Sequence, residues 1–124
     1  MLAFVVSLMM ASFDPSILTV PVVHAEQIQL NPKLLSVCGC ESTGDPSSPP
    51  RQFNDDGSVL RGKENPKDIG MCQINEYWNG EEAKKLGFDI YTEEGNIKMA
   101  NYLFETRGFK PWGASRSCWR VLDA

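Results

Sequence analysis

The chain has 124 residues, 42% of them hydrophobic, with 12 lysines and arginines against 16 aspartates and glutamates and a formal charge of −4. That length suits one small domain, and the acidic balance argues against a nucleic-acid partner, for which a basic surface is expected. The one histidine, His24, lies in an N-terminal apolar leader, which removes Ser–His and Cys–His catalysis.

Residues 1–25 read as a secretory signal peptide. Leu2 to Ala11 is an apolar run too short to span a membrane. Val23-His24-Ala25 before Glu26 fits a small-x-small cleavage site. No Lys or Arg precedes Lys33, so the usual positive start is missing, and Asp14-Pro15 interrupts the segment. Removing the leader takes away one acid and no base, leaving residues 26–124 as a 99-residue domain of charge −3. So short a chain gains from covalent staples. The expected location is secreted, periplasmic or extracellular, with no stable membrane insertion after processing.

Asn31-Pro32 predicts a helix start, Asn as N-cap and Pro at the first helical position; Gly44 and the Pro/Ser run after it predict the stop. Leu34, Val37, Cys38 and Glu41 fall on one face of that helix. The Glu41 carboxyl is thus placed on the apolar face in the last turn. Burial and the negative helix end both favour its protonated form, which is what a general acid needs. A capping or salt-bridged glutamate would fit the same position.

Ser42 to Pro50 reads as a loop. Asn54-Asp55-Asp56-Gly57 between Gln52-Phe53 and Ser58-Val59-Leu60-Arg61 signals a hairpin, a small antiparallel wing ending near Gly62. Asn65-Pro66 turns the chain into Asp68, which suits a second carboxylate across a cleft from Glu41 or, equally, an Asx-turn or N-cap. Gly70 suggests close backbone approach to substrate or to another segment. Gln73 and Asn75 alternate with Ile74, so two amides could share one face and bind sugar hydroxyls. Tyr77 and Trp78 could stack on sugar faces, although core packing would also account for Trp78.

Asn79 is expected to cap a short structural helix with Glu81 and Glu82 in its first turn, Lys84 and Lys85 in its last, and Gly87 beyond. Thr92 opens the longest helix, stopped by Gly108, with Ile97, Met99, Ala100, Leu103 and Phe104 as its core face. Tyr102 on it could reach the cleft or lie buried. Cys38, Cys40, Cys72 and Cys118 suggest two disulfides. Cys38 and Cys40 point different ways on a helix, so each is expected to reach one of Cys72 and Cys118. The spacing does not suit zinc, and neither metal nor cofactor is expected.

Glu41-Ser42 followed by Gly70-Met71-Cys72-Gln73-Ile74-Asn75 resembles the paired signatures of the lysozyme-like superfamily, as in soluble lytic transglycosylase domains. Asp68 leading the second motif resembles C-type lysozymes. Asn96-Ile97 and Ala100-x-Tyr102-Leu103 resemble the transglycosylase helix, while Pro111-Trp112-x-x-Ser115-x-x-Cys118-Trp119 is closer to lysozymes; no Ala-Tyr-Asn motif is present. The resemblance covers about residues 33 to 119.

It implies an α+β, mainly α, lysozyme-like fold with a catalytic cleft between the wing and the helical part. The implied activity is cleavage of the β-1,4 MurNAc–GlcNAc bond of peptidoglycan glycan strands, with Glu41 as general acid/base and a 1,6-anhydro product. The alternatives are lysozyme-type hydrolysis assisted by Asp68, a catalytically inactive glycan-binding module, and a disulfide-stapled interaction domain. Substrate contacts fall to Ser42, Gln73, Asn75, Tyr77, Trp78, Tyr102 and Trp112. By analogy, Trp112 would raise the Glu41 pKa. A monomer is expected. The acidic charge departs from cationic lysozymes and implies weak electrostatic steering to a bacterial wall.

Overall fold

A computed structural model describes residues 28–120; the leader assigned to residues 1–25 lies outside the described residues. The architecture is mainly helical with a small antiparallel sheet. The Asn31 side chain accepts a hydrogen bond from Lys33 N at 3.0 Å, and Pro32 opens a 3-10 turn that leads into α1 (Leu35–Thr43). Gly44, at φ 79°, ends the helix. Leu34, Val37 and Cys38 are completely buried. A Cβ on Gly39 would lie 2.7 Å from Ser48 O and 2.8 Å from Asp45 O, so the Pro/Ser loop packs directly on α1.

The hairpin forms around Asp55-Asp56-Gly57, with Phe53 bridging Val59 and Asn54 N donating to Ser58 O at 2.7 Å. The wing does not end near Gly62. Arg61 bridges Ile69, and β1 (Asp68–Ile69) pairs with β2 (Ile74–Asn75) with Asp68 opposite Asn75. Ile69 and Ile74 are buried on the inner face, which holds the polar wing to the helices. Their apolar burial is the reason the pairing extends through Asn75.

α2 (Glu76–Leu86) starts earlier than Asn79. Asn75 caps it, its side chain accepting from Trp78 N at 3.0 Å, so Asn79 is a buried residue inside the helix. Asn79-Gly80 reads as a turn signal, yet Gly80 faces open space and the inward Ala83 anchors the helix through it. α3 (Glu93–Arg107) begins at Thr92, which accepts from Gly95 N at 3.0 Å, and ends at Gly108. Its buried face is Gly95, Asn96, Met99, Ala100 and Leu103, with Ile97 and Phe104 packed at the margin. A 3-10 segment (Lys110–Ser115), kinked at Trp112, leads into α4 (Arg116–Trp119).

Two disulfides close the core, Cys38–Cys72 and Cys40–Cys118. The diverging cysteines of α1 thus fasten it to the turn between β1 and β2 on one side and to α4 on the other. Two disulfides suit an oxidising, secreted setting. Among the described residues no helix is long and apolar enough to cross a membrane.

Candidate active site

The turn from Ile69 to Cys72 is held by two buried amides that bond its backbone groups. Gln52 accepts from Met71 N at 2.9 Å and donates to Ile90 O at 3.1 Å. Asn96, wholly buried on α3, accepts from Cys72 N at 3.1 Å and donates to Ile69 O and Ile90 O at 2.9 and 2.8 Å. Gly70 passes between these amides at φ 73°, where a Cβ would lie 2.4–2.6 Å from their side-chain atoms. The close approach expected at Gly70 is therefore to other chain segments. With the Cys38–Cys72 disulfide, this frame fixes β1 and Asp68 relative to α1.

Glu41 stands in the last turn of α1, half-buried. Its pKa is raised above the ordinary 4.5, first because burial strips water from the carboxylate and further because the Asp68 charge repels it. Ser115 acts the other way, donating from Oγ to Glu41 Oε1 at 2.7 Å and so stabilising the anion. The same Oγ accepts from Trp119 Nε1 at 3.1 Å and lies 3.2 Å from Trp112 O, a second acceptor for its proton. One hydroxyl can thus serve either charge state. It donates to the Glu41 anion, or turns to Trp112 O and accepts from the neutral acid. A carboxyl poised in this way can give up a proton and take one back.

Ser115 was not among the predicted site residues. Its signal lies in the cysteines: Cys40 precedes Glu41, and Cys118 follows Ser115 by three residues, so the Cys40–Cys118 bond draws the two side chains together. That inference requires the pairing, which spacing alone leaves open.

The other predicted residues divide. Asp68 lies close enough to repel Glu41, and its Oδ1 accepts from Asn75 Nδ2 at 2.9 Å. Asn75 is occupied at both ends of its amide, by Asp68 and by the α2 cap, so its role is structural. Gln73, at φ 51°, donates to Gly70 O at 2.9 Å and closes the turn, so it does not share a free face with Asn75. Ser42 donates to Cys38 O and accepts from Arg51 N, both at 2.8 Å, fastening the loop to α1. Tyr102 donates to Glu82 Oε1 at 2.6 Å and ties α3 to α2; it does not join the Glu41 cluster. Trp112 is 2% exposed and donates to Cys72 O at 2.9 Å, a core residue beside Ser115. Tyr77 and Trp78 are 65% and 77% exposed and meet edge to face. Lys67 Nζ lies 4.7 Å over the Tyr77 ring, so of the two Trp78 is the more open to a ligand.

Two cavities lie away from Glu41. One of about 520 Å³ is lined by residues including Glu76, Phe88 and Tyr91. The other, about 580 Å³, has Phe109 and Trp119 in its wall. Compared with models of known protein families, with curated proteins and with solved structures, the chain gives no match.

Proposed function

We propose that the protein cleaves the β-1,4 bond between N-acetylmuramic acid and N-acetylglucosamine in peptidoglycan, with Glu41 as its acid and base, on a lysozyme-like fold. The single observation that carries this reading is the environment of Glu41. A half-buried carboxyl with a raised pKa and a reversible hydroxyl partner feels the charge of Asp68, which sits on a strand fixed by a disulfide and two buried amides. Tyr77 and Trp78 add exposed aromatic surface on the element that follows the wing.

In the proposed reaction Glu41 gives its proton to the glycosidic oxygen as the C1–O bond breaks. The resulting carboxylate then takes the proton of the muramyl 6-hydroxyl, whose oxygen closes on C1. The product is a 1,6-anhydro sugar, no water is consumed, and Glu41 ends protonated. One carboxyl suffices for this course, which fits an Asp68 already engaged with Asn75.

A second reading, hydrolysis assisted by Asp68, is favoured by the influence of the Asp68 charge on Glu41. Asp68→Asn separates the two: under the first reading most activity is retained, and under the second it collapses. The enzyme reading as a whole is tested by Glu41→Gln, which should lower turnover by roughly 10²- to 10⁴-fold while leaving glycan binding intact. Unchanged turnover would sink it.

A further inference from the structure

The net charge of −4 conceals a segregation. From Thr106 to Arg120 the chain carries four bases and no acid, while the remaining residues, Asp123 included, hold 8 bases and 16 acids, a charge of −8. Those four bases, Arg107, Lys110, Arg116 and Arg120, all line the cavity of about 580 Å³, over a floor made by Phe109 and Trp119. The two rings stack with centroids 4.9 Å apart. Among the described residues no carboxylate forms an ion pair with any of the four cations. Arg116 and Arg120 sit one helical turn apart, where like charges repel. An anionic ligand would relieve that repulsion, and guanidinium forks match carboxylates in paired hydrogen bonds.

The cavity does not reach Glu41, but a hydrogen-bonded relay links the two. Trp119 forms part of its floor and donates through Nε1 to Ser115, which holds Glu41. We infer that this basic concavity binds the carboxylate-bearing peptide stems of the wall glycan, an inference that rests on the peptidoglycan reading above. The cations would take the carboxylates and the aromatic floor the apolar side chains, anchoring the substrate at a distance from Glu41. Local charge then supplies the steering that the net charge denies.

The test uses the disulfide-bonded chain carrying Glu41→Gln, sedimented with purified peptidoglycan sacculi before and after an amidase has removed the stem peptides. Removal of the peptides should weaken binding about tenfold, as expected for loss of two exposed ion pairs. Lys110→Gln with Arg116→Gln should give the same loss on intact sacculi and no further loss on stripped ones. Both side chains are exposed, so the fold should survive, and raised salt on the unsubstituted surface provides an independent check. Equal binding to both sacculi, an unaffected double variant, or binding that follows wall phosphate polymers instead of peptides would each overturn the inference. Product release by the wild type from stripped strands would leave the Glu41 reading standing in that event. Peptide-dependent binding with no release would do the reverse.

Discussion

Burial and the nearby Asp68 charge push the Glu41 carboxyl towards its neutral form, while the Ser115 hydroxyl favours the anion. The raised pKa has a sign that can be checked. The folded chain holds this proton more tightly than the unfolded one, so the favourable contribution is complete at acid pH, below the unfolded carboxyl value. It is lost as pH rises through the raised folded value. Glu41→Gln should therefore stabilise the protein at pH 7, and the gap to wild type should close in acid; urea unfolding at several pH values reads this directly. A general acid must be protonated, so activity should fall as pH rises through the Glu41 pKa. Ser115→Ala removes the one influence that lowers it and should move that limb of the profile to higher pH. An unmoved limb would reduce Ser115 to packing.

Among the elements, the turn between β1 and β2 depends most on distant partners. Asn96→Ala would strand the buried Ile69 carbonyl and Cys72 amide, at a cost of about 2 to 5 kcal/mol. Gly70→Ala should cost more than ~2 kcal/mol, since an L-residue is strained at that φ and the new methyl would meet two buried amides. Breaking Cys38–Cys72, whose cysteines are 34 residues apart, should cost roughly 4 kcal/mol on the chain-entropy account. Thermal unfolding of each variant measures these losses. Much of this level is legible in sequence because its signals are local. Asn31-Pro32, Thr92, Gly44 and Gly87 act through their own backbone neighbours, and each marks a boundary where it stands. Asn75 misleads because one amide can cap a helix, bind a carboxylate or face a ligand, and sequence does not reveal which partners arrive first. Glu41 was placed by helical periodicity. Ser115, Gln52 and Asn96 take their roles from contacts across 74, 19 and 24 residues, which no local pattern encodes.

For the whole molecule, a described core of fifteen apolar residues is fastened by two cross-links that both start on α1. The helix bearing Glu41 is thereby fixed to the wing and to the C-terminal segment at once, and a proton donor gains from such fixed geometry. The Thr106–Arg120 segment gathers four bases around one cavity, a local charge that the net value hides. The proposed activity is tested most directly by mass spectrometry of purified peptidoglycan incubated with the oxidised protein and, in parallel, with Glu41→Gln. The expected result is release by the wild type alone of muropeptides ending in 1,6-anhydromuramic acid, lighter by one water than reducing ends. Reducing ends would shift the mechanism to hydrolysis and give Asp68 the second role. No release from accessible strands by folded wild-type protein, or equal release by Glu41→Gln, would contradict the assignment of Glu41 as the acid.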